Sequence, residues 1–248
     1  MGIDIHPIHL GIDCSYIIKG EGTIMIDCGG PKKLKHFMQG VEKASIKPEE
    51  VQLIVLTHGH FDHIGSAKDV KEATGAKIAI HEKEKDWLEK SLKPLPPGVT
   101  LWGKVFVNIL KMLMPLIHIP PTDVDVILTD EEFSLNEFGI PGKVIYTPGH
   151  SSVSVSVLLE TWDVFVGDLA MNKFPLRLNP GLPIFAENRD KVLESWKILL
   201  DQGAKTVYPA HGEAFSADII RKELSLSARF IYCRFCPYKF ESYLIVLA

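Results

Sequence analysis

Five of the ten histidines in this 248-residue chain sit in short motifs flanked by glycine or proline. The densest motif is Thr57-His58-Gly59-His60-Phe61-Asp62-His63. Further along come His150 in Thr147-Pro148-Gly149-His150, Asp168 in Val166-Gly167-Asp168, and His211 in Pro209-Ala210-His211-Gly212. In a chain of this composition, His-x-His-x-Asp-His arises by chance about once in a thousand sequences. Histidine and aspartate are ligands that zinc, iron and manganese accept. No cysteine lies near the cluster, which argues against a structural cysteine-rich zinc site.

His58 and His60 are two residues apart, so on an extended segment they point to the same side. Asp62 and His63 are neighbours and are expected to point apart. One ion is therefore poorly served by all four, and two ions are the natural solution. The carboxylate of Asp168 has two oxygens and could bridge them. Two divalent ions, two ligand carboxylates and a bridging hydroxide leave about one net positive charge, which would stabilise an oxyanion on a carbonyl or phosphoryl group. A metal-bound water is also a nucleophile near neutral pH, its pKa falling from ~15.7 to about 7.

The surrounding elements place these residues consistently. Cys14 to Ile18 and Thr23 to Ile26 read as a hairpin that ends at Asp27-Cys28-Gly29-Gly30. Pro31 to Ala44 has helical periodicity, with Leu34, Phe37, Met38 and Val41 on one face. The apolar run Leu53 to Leu56 reads as a buried strand that delivers the first cluster. Helices are expected over Ser66 to Thr74, Glu82 to Leu92, Asp190 to Gln202 and Asp218 to Leu226. Strands are expected at Lys77 to Ile80, Val124 to Leu128, Lys143 to Tyr146, Val153 to Leu159, Trp162 to Val166 and Thr206 to Tyr208. A ligand candidate thus sits just beyond a strand end, in a loop, where catalytic groups concentrate.

The bulk composition is that of a soluble globular protein, 46% hydrophobic and 23% charged. A net charge of −4 gives no basic footprint for nucleic acid. Four cysteines are too few for a disulfide scaffold, and the start of the chain lacks the pattern of a signal peptide, so a cytoplasmic location is expected. The most apolar span, Leu101 to Pro121, contains Lys104, Lys111, Pro115 and Pro120, and does not read as an integral membrane segment. His6, His9, His36, His81 and His118 have no ligand context and read as surface or core residues.

One metal-binding domain is expected over 1–226, with an apolar insertion at 94–121 and an apolar tail at 227–248 that holds Cys233 and Cys236. The insertion reads either as a lid or pocket wall for an apolar substrate or as an ordinary packing or homodimer-interface helix. Lys173, Arg177 and Trp102 are candidate substrate-binding residues. The two cations sit in a Pro- and Gly-rich loop after Asp168 and could bind an anionic group; a solvated rim is the alternative.

On these motifs, from the Asp27-Cys28-Gly29 turn to Pro209-Ala210-His211-Gly212, the chain resembles the metallo-β-lactamase superfamily. The resemblance implies an α/β fold, a four-layer αββα sandwich with the metals at one edge. It also implies ligand roles: His58, His60 and His150 for a first metal, Asp62, His63 and His211 for a second, and Asp168 between them. Asp62 and Asp168 would also be catalytic. Zinc β-lactamases lack the bridging carboxylate and the flavodiiron branch has Glu where His60 stands. The resemblance therefore points to a hydrolase with two divalent ions, Zn2+ ahead of Fe or Mn, whose bridging hydroxide attacks an ester, thioester or lactone of a small molecule. The alternatives are an iron persulfide-dioxygenase-like enzyme using His58, His150 and Asp168, and a phosphodiesterase on the same fold.

Overall fold

The computed structural model describes residues 2–234, with side chains to 226. Twelve strands form two six-stranded sheets among these residues. In chain order the first sheet comprises β1 (Asp4–His9), β2 (Cys14–Lys19), β3 (Thr23–Ile26), β4 (Val51–Val55), β5 (Lys77–His81) and β6 (Val126–Leu128). The second comprises β7 (Phe133–Ser134), β8 (Gly142–Tyr146), β9 (Val155–Leu159), β10 (Asp163–Met171), β11 (Thr206–His211) and β12 (Phe215–Ser216). The strands of the first sheet lie side by side in chain order, antiparallel from β1 to β3 and parallel from β3 to β6. Those of the second do the same from β7 to β12, with β10 and β11 the parallel pair.

The helices are α1 (Leu34–Lys43), α2 (Phe61–Ile64), α3 (Ala67–Thr74), α4 (Lys85–Glu89), α5 (Leu101–Leu113), α6 (Arg189–Asp201) and α7 (Asp218–Arg234). Side-chain alternation along the strands sorts the core into three layers. Ile17, Met25, Ile54 and Ile78 face Phe37 and Val41 of α1 and Val70 of α3. Tyr16, Ile18, Ile24, Leu53 and Val55 face Val144, Val157 and Phe165 across the two sheets. Ile145, Val164 and Val166 face Val192, Trp196 and Leu199 of α6. Helices, sheet, sheet, helices is the αββα sandwich that the family resemblance implies.

Several local expectations shift. Strand β1 has no counterpart in the sequence reading: Asp4-Ile5-His6-Pro7-Ile8-His9 is half polar and carries a proline, both tolerable on an edge strand paired only with β2. The charged helix at Glu82 to Leu92 is broken into a 3₁₀ turn, Glu82–Glu84, and α4. The last helix, expected to end at Leu226, runs to Arg234. Met38 on α1 is exposed, while Phe37 and Val41 carry the buried face. Cys236 and the end of the apolar tail lie outside the described residues.

The apolar insertion folds as α5. Thr100 caps it by accepting from Gly103 N, and Pro115 stands just past its end, where a continuing helix would need a free N–H. Gly103 lets the helix approach the Ile184 carbonyl, which an added Cβ would strike. Among the described residues, no helix is long and apolar enough to cross a membrane.

Candidate metal centre

The seven motif residues, carried by separate strand ends and turns, converge at one edge of the sandwich in two adjoining groups. His58, His60 and His150 form one; Asp62, His63, Asp168 and His211 form the other. Within each group the ligand-type atoms lie within 4.8 Å of one another. All seven are buried except Asp62, whose side chain keeps 19% exposure.

The local backbone explains the convergence, and it corrects one expectation. The segment after β4 is extended only as far as His60; Phe61–Ile64 is then one helical turn, with His63 N donating to His60 O at 2.9 Å. Neighbours on a helix diverge by about 100° rather than 180°. Asp62 and His63 therefore enter the same group instead of pointing apart. Asp168 also departs from expectation, because β10 runs through it to Met171 rather than ending before it. The strand is kinked there: its register against β11 slips on both sides of Gly167, which has φ 52°. A Cβ at Gly167 would meet the Thr57 side chain, so this position accepts only glycine and the kink turns Asp168 inward. Gly149, with φ 141° and the Val192 backbone against it, does the same for His150.

Each ring except His60 is held through one nitrogen, leaving the other free for the site. His150 Nδ1 donates to the Phe185 carbonyl (3.0 Å) and His211 Nδ1 to the Ile12 carbonyl (3.2 Å). His63 Nδ1 donates to Asp27 Oδ2 (2.8 Å). Asp27 also accepts from Thr57 N and from Thr57 Oγ1, so that hydroxyl is left to accept from His58 Nδ1 at 3.1 Å. Such partners fix tautomer and ring orientation in metal-binding histidines. Asp27 itself has φ 57°, a conformation rare outside glycine, asparagine and aspartate.

The free ends point at one another. His60 Nδ1 lies 3.0 Å from His150 Nε2. Asp168 Oδ2 lies 3.5 Å from His150 Nε2, while its Oδ1 lies 3.4 Å from His63 Nε2 and 3.3 Å from His211 Nε2. His211 Nε2 is also 3.5 Å from Asp62 Oδ2. His58 Nε2, His63 Nε2 and Asp168 Oδ1 are buried with no hydrogen-bond partner. Buried polar atoms are seldom left so. A cluster of them on imidazole and carboxylate fits bound divalent metal.

Electrostatics divides the two groups. Burial and the neighbouring rings push His58 well below the usual histidine range, and burial with His150 pushes His60 to about 3. Burial also lowers His150, against the pull of Asp168. These three are neutral and keep lone pairs. Burial works against charge on His63 too, but Asp27 and Asp168 outweigh it and hold it well above its ordinary value. His211 is raised in the same way by Asp168 and Asp62. Burial opposes the charge on Asp168, yet His211, His63 and His150 keep it well below the usual carboxylate range. In the second group the carboxylates thus draw protons onto His63 and His211, protons that a bound cation would displace.

Three residues that the sequence reading gave no role support the site: Asp13, Asp27 and Glu84. Asp13 Oδ1 stands 3.5 Å from His211 Nδ1, and burial lifts its carboxyl to about 6 against the pull of His211. Glu84 accepts from Gly59 N at 2.6 Å, gripping the loop between His58 and His60, and burial pushes its pKa to about 7. Within a run as charged as Glu82-Lys83-Glu84-Lys85-Asp86, nothing in the sequence distinguishes it from a solvated face. Glu84→Ala would strand the Gly59 N–H and should cost about 1–3 kcal/mol. Glu84→Gln keeps an acceptor and should recover most of that. Thermal unfolding of the pair checks it, and equal losses would count against the hydrogen bond.

The remaining sequence candidates lie apart from the ligands. Lys173 Nζ donates to the Gly11 carbonyl, and Arg177 donates to the carbonyls of Asn179 and Leu182. Trp102 Nε1 donates to the Pro175 carbonyl, with its ring 5.9 Å from Phe106. Beside the ligands lies a cleft whose volume, counted out to its open mouth, is about 520 Å³. Its apolar wall includes Phe106, Val107 and Leu110 of α5, with Leu95, Leu176 and Phe185, and neither cation nor Trp102 is among its lining residues.

The chain is 28% identical over 201 residues to the probable metallo-hydrolase MJ0888 of Methanocaldococcus jannaschii, covering 80% of this chain and 87% of that protein. It is 29% identical over 220 residues to the metallo-beta-lactamase fold-containing protein ST1585 of Sulfurisphaera tokodaii, covering 84% and 76%. The solved structure of ST1585 matches with a TM-score of 0.64 at 24% identity over 100% of this chain and 91% of that one. BLEG-1 B3 metallo-beta-lactamase matches with 0.63 at 21% identity over 90% and 97%. At such identities the solved structures speak for the fold. The family model of the metallo-beta-lactamase superfamily matches residues 9–211, nearly the whole sandwich and all seven motif residues, and the chain belongs to that superfamily.

Proposed function

We propose that the protein is a hydrolase working with two divalent ions, zinc foremost, on an uncharged carboxylic ester, thioester or lactone that bears an apolar group. The observation that carries this reading is the placing of Asp168, whose two oxygens face different donor groups. His58, His60 and His150 would hold one ion, Asp62, His63 and His211 the other, and Asp168 would span the two. The ions would supply Lewis acidity and a water acidified from ~15.7 to about 7. The chain supplies the rest. Asp27, Thr57 and the carbonyls of Phe185 and Ile12 keep the rings aimed. Asp62, the donor most open to solvent, lines the cleft and is placed to take up a proton there. The related proteins named as metallo-hydrolases support hydrolysis as the reaction class. Free, buried Cys14 and Cys28 agree with work in a reducing cytoplasm.

The cleft narrows the substrate. Phe106, Val107, Leu110 and Leu176 offer an apolar wall beside the ligands, and no Lys or Arg lines it among the described residues. An acyl or ring group there gains about 0.8 kcal/mol per buried methylene, near fourfold each. Aryl esters of rising acyl length should therefore show rising kcat/KM until the cleft is filled, and Phe106→Ala should flatten the slope. A flat series, or preference for a phosphodiester, would overturn this substrate class. A single bound iron with oxygen uptake would replace hydrolysis by the dioxygenase reading.

A further inference from the structure

Helix α5 is apolar on two sides. Phe106, Val107 and Leu110 face the cleft. Away from it, Leu101 and Met112 are 85% and 81% exposed, and Val105 and Ile109 are exposed with them. Residues 101, 105, 109 and 112 recur at the spacing that aligns side chains on one helical face. They form a stripe along a helix about 20 Å long. Leu116, 81% exposed, prolongs it beyond the helix end. The Trp102–Pro175 hydrogen bond ties the start of α5 to a loop that exposes Phe174 and Leu178 as well. A contiguous apolar patch of this kind marks an interaction face, unlike scattered surface hydrophobics.

The charge around the patch is one-sided. No Asp or Glu occurs between Glu89 and Asp123, nor between Asp168 and Glu187, the two segments that build it, although the chain as a whole carries −4. Lys104 and Lys111 flank the stripe and are exposed. An apolar stripe edged by lysines suits a helix lying in the headgroup region of an anionic bilayer. The same charge opposes a symmetric contact with a second copy. A two-fold interface sets one patch against itself, so these lysines would meet the same lysines of the other copy, and neither segment supplies a carboxylate to offset them.

We propose that the outer face of α5 docks the protein on an anionic lipid surface, with the mouth of the cleft beside the same helix. The inference does not depend on the hydrolase reading. The test is cosedimentation of the full chain with phosphatidylcholine vesicles, with and without phosphatidylglycerol. Binding should require the anionic lipid and weaken with salt. Leu101→Glu with Met112→Glu should weaken it at least about tenfold, with metal content and hydrolysis of a soluble short ester unchanged. Lys104→Glu with Lys111→Glu should abolish the preference for anionic vesicles. Failure of the parent to bind, or equal binding by the glutamate variant, would overturn the proposal. So would a stable parent dimer that the same substitutions convert to monomer, since a second copy would then own the face. Vesicle binding by a protein that hydrolyses no ester would leave this proposal standing and remove only the hydrolase reading.

Discussion

Asp168→Asn should leave the sandwich folded and lower hydrolysis by about 100-fold or more. Loss of a residue that merely orients a ligand costs 10–100-fold in metal affinity or activity, and Asp168 touches both donor groups itself. Its Oδ2 faces His150, and its Oδ1 faces His63 and His211. The amide keeps the volume of the buried side chain, so packing against Gly167 and the kinked strand survives. It removes a full negative charge from between the two proposed ions and turns one oxygen into an N–H donor that cannot ligate. Metal content and kcat on one preparation check this. A variant that kept both ions as tightly as the parent would show that Asp168 is not the bridge.

Asp62→Ala and His63→Ala should each strip one ion in preference to the other. Both side chains belong to the group with His211, and neither belongs to the group of His58, His60 and His150. Asp62→Ala is the cleaner variant, because its carboxylate is the half-buried member and faces His211 alone at 3.5 Å. His63→Ala also removes the ring that donates to Asp27, so it should lower thermal stability as well. Activity should fall by about two orders of magnitude or more in each, the nucleophile losing one of its activating ions. Titration of apo protein with zinc, followed by calorimetry, distinguishes the sites. Equal weakening of both binding steps would refute the assignment.

The strands were legible in the sequence as apolar runs such as Leu53 to Leu56 and Val153 to Leu159, and each candidate donor motif lies at or near the end of such a run; the four-layer arrangement came from the family resemblance of those motifs. The paths between the donors were not legible. Reading 57–63 as extended separated Asp62 from His63, because one helical turn at Phe61–Ile64 leaves no periodicity to detect. The passage of β10 through Asp168 depends on a bulge against β11, a tertiary event. The supporting residues were hidden for a different reason. Asp27 sits in a Gly-rich turn and Glu84 in a charged run, and both look solvated until the partners they hold, Thr57, His63 and Gly59, are seen beside them. Lys173 and Arg177, cations near the site in sequence, each donate to backbone carbonyls of neighbouring loops.

Stoichiometric metal reconstitution tests the central claim most directly. Apo protein loaded stepwise with zinc, with bound metal and ester hydrolysis measured at each step, should take up two ions per chain and reach full activity only as the second site fills. Full activity at one ion per chain, or no uptake beyond the first, would contradict a centre built on both groups with Asp168 between them.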